Sequence, residues 1–309
     1  MRGKVSPKLN EFLALVNEQI ALAKQENVIF SPQMVRENLD KLAAFTSVSP
    51  EIAFVEQREL VIDKQTVSTR IYSPAPNEKL PVLIYFHGGG HMCGSAKLYD
   101  PMCRKMAIAG QCVVINVDYR LAPEFPYPAG LTDCKTVLRH YQQLLTNVSY
   151  NHQVFIGGDS AGGAICTSLA MQSLSDDTLK IDGQILIYPS VDYTMSRESV
   201  QSNGSGFLLE STKVAWYFDH YFQNNENREL ASPLYGPIND KLPQTLVITV
   251  GCDPLRDEGN EYANALMLAG VKVVHHQFDD MIHAFMNIED LVPEECQHLY
   301  QLIGTFMRS

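Results

Sequence analysis

The chain has 309 residues, 45% of them hydrophobic, which suits one large α/β domain with a full core. Its formal net charge of −11 repels phosphate backbones, so nucleic acid is set aside as a partner. No segment approaches the roughly 18 consecutive apolar residues of a membrane span, so stable membrane insertion is not expected.

Seven cysteines (Cys93, Cys103, Cys112, Cys134, Cys166, Cys252 and Cys296) stand singly, with no C-x-x-C pair. An odd, scattered set argues against a disulfide framework or a zinc site and fits a reducing compartment. The opening stretch MRGKVSPKLNEFLALVNEQIALAK is apolar only over Phe12–Val16, before Asn17, Glu18 and Gln19 interrupt it. It therefore does not read as a secretion signal, and a cytoplasmic location is expected. The N-x-S sequons at Asn147 and Asn203 carry no weight in such a chain.

In chain order, Leu9, Phe12, Leu13, Val16, Ile20 and Ala23 recur at helical spacing. SPQMVRENLDKLAAF then begins with a serine cap and a proline at the first helical position, and Met34, Val35, Leu39 and Leu42 form its apolar stripe. Residues 1–45 thus predict two helices that must pack on something else. RELVID and TVSTRIY alternate across a short polar turn, the pattern of an antiparallel hairpin.

Six buried-type strands follow: VLIYFHGGG, VVINVDY, QVFIGGDS, QILIYPS, TLVITVGCD and VKVVHHQF. Helical stretches separate most of them. The pattern predicts a mostly parallel α/β sheet with helices on both faces and ligand binding beyond the carboxyl ends of the strands. The alternation breaks after YPS, where GFLLESTKVAWYFDHYF is dense in aromatic residues. The resulting division is amino-terminal cap helices at 1–45, core at 46–190, a cap insertion at 191–230 and core again at 231–309.

Gly158-Asp159-Ser160-Ala161-Gly162 matches G-x-S-x-G between a strand and a helix. A serine on so tight a turn needs neighbours without bulk, and the helix beyond it turns its positive end toward developing negative charge. Ser160 is therefore the candidate nucleophile. Its partners should follow in the order acid, then histidine. His283, in DDMIHAF after the last strand, is the candidate base. His275 and His276 lie inside that strand, one toward the core and one toward a covering helix, and His140, His152, His220 and His298 have polar neighbours. Asp253 ends a strand and precedes Pro254, so it is the candidate acid. Asp257 lies one turn further and is expected to pair with Arg256 or another basic group. In FHGGG, Gly88 and Gly89 are candidate oxyanion donors together with Ala161, and His87 is expected to hold the loop. Phe207, Leu208, Trp216 and Ile282 are the candidate substrate-binding residues. The aromatic run Trp216, Tyr217, Phe218 and Tyr221 either lines an acyl or alcohol pocket or forms the lid's own core.

The motifs HGGGHMCGS, DYRLAPEFPYPAGLTD, GGDSAGG, YPSVDY, LPQTLVITVGCDPLRDEGNEYANALMLAG and MIHAF together resemble the hormone-sensitive-lipase-like esterases, bacterial family IV of the α/β-hydrolase fold. The resemblance spans about Leu80 to Phe285 and implies an α/β-hydrolase fold with a helical cap. It implies a Ser160–Asp253–His283 triad, an oxyanion hole of Gly88, Gly89 and Ala161, and no metal or organic cofactor. It also places Arg120 and Glu124 in buried polar contacts beside the site. The implied substrates are short- to medium-chain carboxylic esters that are small and hydrophobic. An amidase, formamidase or deacetylase would use the same triad, whereas a ligand receptor on this fold would lose the histidine that this chain keeps. By analogy, a homodimer through the last strand or helix is expected. One departure is Asp280, where the family usually has glycine. Aspartate tolerates a left-handed backbone better than most residues, and its carboxylate would stand near His283.

Overall fold

Side chains alternate between the two faces of a strand, so an uninterrupted apolar strand needs cover above and below. The computed structural model describes residues 1–309 and resolves that need as a single sheet between two helical layers. Its strands are β1 (Phe54–Ile62), β2 (Gln65–Ser73), β3 (Leu80–Phe86), β4 (Val113–Asp118), β5 (Tyr150–Asp159), β6 (Gly183–Ile187), β7 (Gln244–Cys252) and β8 (Val273–Ile282). They lie in the order β1-β2-β4-β3-β5-β6-β7-β8. The β1–β2 hairpin turns on Asp63 and Lys64, both at positive φ (49° and 68°), as a two-residue turn between right-twisted strands requires. Strand β2 is also antiparallel to β4, and every other pairing is parallel.

The helices are α1 (Asn10–Gln25), α2 (Pro32–Asp40), α3 (Asp100–Gly110), α4 (Ala129–His140), α5 (Ala161–Ser173), α6 (Glu198–Ser202), α7 (Ser211–Tyr221), α8 (Arg228–Ala231), α9 (Arg256–Leu268) and α10 (Pro293–Met307). Leu83, Tyr85, Phe155 and Ile248 pack on one face with Met102 and Met106 of α3 and Leu299 and Ile303 of α10. Val82, Ile84, Ile156 and Val247 pack on the other with α4, α5 and α9. Each such buried aliphatic contributes about 1.5–3 kcal/mol relative to exposure. This two-sided burial is why β3, β6 and β7 read as continuous hydrophobic runs.

The second amino-terminal helix forms as its cap dictates: Ser31 Oγ accepts the Met34 N–H at 3.2 Å and Pro32 opens α2. Val35 of α2 joins Met92, Val214, Phe218, Tyr221 and Phe222 in a small third core above the strand ends. No helix is long and apolar enough to cross a membrane.

Two details differ from the sequence reading. The first part of 191–230 does not roof the site. Ser199 of α6 donates to the Pro254 carbonyl at 2.7 Å, and Asn203 Nδ2 donates to the Gly251 and Asp253 carbonyls at 3.1 Å each. This stretch buttresses the end of β7, and α7 is the roof. Nor does a histidine of β8 enter the core: His275 is exposed, and only the expectation of a covering helix holds, for His276. His275 instead meets the Thr249 hydroxyl at 3.0 Å, and His276 packs beside His298 of α10.

Glu258 of α9 is fully buried and fixes the chain after β6, its Oε1 accepting the N–H groups of Val191 (2.8 Å) and Asp192 (3.2 Å). Burial pushes its carboxyl well above the usual carboxylate range. A group raised in the folded state stabilises while it holds its proton, so this contribution fades as pH rises from about 4.3, where a free glutamate ionises. Urea melts at pH 5 and pH 8 should therefore show a larger loss of stability in the wild type than in Glu258→Gln. Equal losses in the two proteins would contradict this account.

Candidate active site

Strand β5 delivers the chain to Ser160 and α5 carries it away, and the turn between them is tight. Ser160 sits at φ 53°, ψ −117°, a region costing about 1–3 kcal/mol for a residue other than glycine. Its N–H donates to the Ile187 carbonyl at 2.9 Å, which pins the strained residue to the end of β6. The turn closes only because Gly162 has no side chain: a Cβ there would lie 1.8 Å from the Phe86 carbonyl oxygen.

Three elements converge on this turn. His283 follows β8, and its Nε2 lies 2.9 Å from Ser160 Oγ. Its Nδ1 lies 2.8 Å from Asp253 Oδ2, at the end of β7. These partners define the tautomer, with Nδ1–H donating to the carboxylate and Nε2 free to accept the serine proton. Asp253 Oδ1 accepts the Leu255 N–H at 2.8 Å, so both carboxylate oxygens are engaged. The imidazole packs against the Tyr188 ring, with centroids 4.7 Å apart. Both Asp253 and His283 are buried, and Ser160 faces a cavity. Asp257 pairs with Arg256 at 2.7 Å and takes no part.

The loop after β3 departs from the sequence reading at one residue. Gly88 donates its N–H to Asp159 Oδ1 at 2.8 Å and is withdrawn from any role toward an oxyanion. Asp159 is buried and also accepts from Tyr85 (2.7 Å) and Tyr99 (2.9 Å). Burial pushes its carboxyl up, and these donors oppose the shift. The N–H groups of Gly89 and Gly90 have no protein acceptor, and both residues line the cavity beside Ser160 and Ala161. Ala161 opens α5, where an N–H has no intrahelical carbonyl to meet. The sequence reading missed Gly90 and Asp159, although both stand inside the quoted motifs. The hydrogen bond from Gly88 to Asp159, not the motif, decides which glycine N–H groups remain free to face the serine. His87 does hold the loop: its Nδ1 lies 2.8 Å from the Gly88 carbonyl oxygen, and its ring stacks on Tyr119 at 4.5 Å.

The cavity measures about 810 Å³. Leu208 and Trp216 line it, but Phe207 and Ile282 do not. Phe207 is packed in the core under the Arg2 guanidinium (4.2 Å), because the chain reverses at Gly206 and Leu208, both at positive φ. Ile282, the last residue of β8, alternates away from His283 into the core. The aromatic run of α7 divides: Trp216, Tyr217 and Phe218 line the cavity, while Tyr221 stacks on His91 at 3.8 Å. Much of the remaining wall comes from Phe12, Val16 and Ile20 of α1 and Leu39 of α2. Their helical stripe was visible in sequence but does not distinguish a wall from a core contact.

Beside the site Arg120 pairs with the buried Asp133 at 2.8 Å, yet Glu124 is half exposed. It bonds Arg36 of α2 at 2.6 Å, and Arg36 also donates to the Met92 and Ala122 carbonyls, tying the cap to the core. Asp280 lies within β8, its carbonyl accepting the Ser6 N–H at 2.9 Å. The left-handed residue of this turn is Ala284 (φ 62°), so the conformational reason offered for an aspartate at 280 does not apply.

A sequence profile described as alpha/beta hydrolase fold matches residues 83–287, two thirds of the chain. The chain belongs to the α/β-hydrolase fold family, in its hormone-sensitive-lipase-like branch. Among curated relatives it is 33% identical to esterase LipI of Mycobacterium tuberculosis (strain ATCC 25618 / H37Rv) over 259 residues, 80% of this chain and 79% of that protein. Among solved structures it is similar to ester-hydrolase EH1AB1 from the metagenome of Lake Arreo, with a TM-score of 0.89 and 28% identity over 98% of both chains. It is likewise similar to the Pyrobaculum calidifontis esterase, with a TM-score of 0.86 and 32% identity over 98% of both chains.

Because the elbow relies on the empty space at Gly162, Gly162→Ala should lower stability by about 2 kcal/mol or more, as overpacking against rigid backbone does. Chemical denaturation of the variant beside the wild type measures this. An unchanged midpoint would show that the elbow relaxes freely.

Proposed function

We propose that the chain is a serine carboxylesterase that hydrolyses short- to medium-chain esters through an acyl-enzyme. The observation that carries this reading is the unbroken relay from Ser160 Oγ through His283 to Asp253, at 2.9 and 2.8 Å, opening on an apolar cavity. Relatives and structural neighbours that bear the name esterase support it.

In this mechanism His283 Nε2 takes the Ser160 proton as Oγ attacks the ester carbonyl carbon. The tetrahedral oxyanion receives hydrogen bonds from the backbone N–H groups of Gly89, Gly90 and Ala161. Collapse expels the alcohol, which leaves with the proton held on His283. The same nitrogen then deprotonates a water that attacks the acyl-serine, and the carboxylic acid departs as Ser160 regains its proton. Asp253 stabilises the imidazolium and fixes its orientation without taking the proton. The chain's own groups suffice for every step. A cavity of about 810 Å³ accommodates a medium acyl chain together with its alcohol. All seven cysteines are free and buried, which supports a reducing, cytoplasmic setting.

Hydrolysis of p-nitrophenyl esters from acetyl to dodecanoyl tests the reading. We expect activity to peak among the shorter chains and to disappear in Ser160→Ala. Asp253→Asn should keep the geometry and lower kcat by about 10⁴-fold. Turnover that survives in Ser160→Ala would place the chemistry elsewhere, and a folded wild type inert toward every ester would favour an amide substrate.

A further inference from the structure

The cavity above Ser160 is mainly apolar, and nearly every charged group that lines it already has a partner. Asp159 is bonded to Tyr85, Tyr99 and Gly88. Glu210 is paired with Lys24 at 2.9 Å, and Lys41 bonds the Asn38 side chain at 2.9 Å. Lys213 of α7 is the exception. It lines the same cavity, and its ammonium makes neither a hydrogen bond nor an ion pair.

Its position is close to the reacting centre. The ammonium lies 5.8 Å from the centre of the Tyr217 ring. That ring packs directly on Gly90, where an added Cβ would fall 2.6 Å from Tyr217 Cγ. Lys213 and the loop proposed to hold the oxyanion therefore share the Tyr217 ring as a common neighbour. Burial lowers the lysine's hold on its proton, the cost of a cation held among apolar walls without an ion pair, and the nearby charge of Glu210 offsets that cost only in part. A structural ion pair would have removed that cost, and Glu210, one turn earlier, points instead to Lys24. The missing counter-charge is one that a ligand can supply.

We propose that Lys213 is a specificity residue that selects esters carrying a carboxylate remote from the scissile bond. The inference rests on the esterase reading and deepens it by naming the substrate class. The substrate enters with its ester at Ser160 and its carboxylate at the Lys213 ammonium, held by a charge-assisted hydrogen bond. The apolar wall between them fits the intervening methylene groups. Such a substrate is amphipathic, with one charge that the cavity neutralises, and a neutral ester of equal length leaves the ammonium unpaired.

Two probe series test this. One is the mono-p-nitrophenyl esters of adipic to azelaic acid, long enough to avoid cleavage by their own carboxylate. The other places the carboxylate on the alcohol, as butanoate esters of ω-hydroxy acids followed by proton release. Each is compared with its neutral isostere, in the wild type, Lys213→Met and Lys213→Arg. In at least one series the wild type should prefer the carboxylated ester. Lys213→Met should lower kcat/KM for that ester at least tenfold more than for its isostere, mainly through KM, and Lys213→Arg should restore most of the preference. Cleavage of p-nitrophenyl butanoate with no carboxylate preference in either series would overturn the inference and leave the esterase reading standing. So would equal losses on both esters in Lys213→Met. A wild type that cleaves no ester at all would overturn both.

Discussion

Ser160 is held in a backbone conformation that its own side chain disfavours, and the architecture around it serves to keep it there. A strained elbow of this kind persists only where its surroundings over-determine it. Here the β5 end is locked between β3 and β6, the Ile187 carbonyl takes the serine N–H, and Gly162 lies against the Phe86 carbonyl oxygen. The core that β3, β5 and β6 bury on both faces supplies the rigidity. The strain in turn lifts Oγ clear of the sheet, where an imidazole from another strand reaches it at 2.9 Å.

The same turn organises the loop opposite. Asp159 precedes the serine, so its carboxylate is fixed by the elbow and in turn fixes Gly88, Tyr85 and Tyr99. A buried carboxylate is costly unless hydrogen-bonded, and three donors compensate it. One acidic side chain thus couples the nucleophile's turn to the glycines proposed to receive the oxyanion. The cap is coupled more lightly. Arg36 reaches across to the Met92 and Ala122 carbonyls and to Glu124. Cap and core therefore meet at the loops flanking the site.

Much of this was legible in sequence because its signals are local. Strand ends, the glycine-flanked serine, the proline after Asp253 and the order of the three candidate residues follow from short-range chemistry, and the structure brings those three side chains together. What was not legible depends on direction. Gly88 and Gly89 look alike in HGGGHMCGS, but only a tertiary contact with Asp159 separates them. Phe207 and Leu208 are adjacent and both apolar, and a reversal of the chain sends one to the core and the other to the cavity. Ile282 is separated from His283 by the alternation at a strand end. Glu124 finds its partner on a helix almost ninety positions earlier, beyond the reach of any local pattern.

The central claim is that Ser160 is an activated nucleophile whose reactivity depends on His283. Treating the folded protein with diethyl p-nitrophenyl phosphate and mapping the adduct by peptide mass spectrometry tests it without assuming any substrate. The account predicts a single diethylphosphoryl group on Ser160, formed rapidly in the wild type and at least a hundredfold more slowly in His283→Ala. An unmodified Ser160, or a label whose rate ignores the loss of His283, would contradict it.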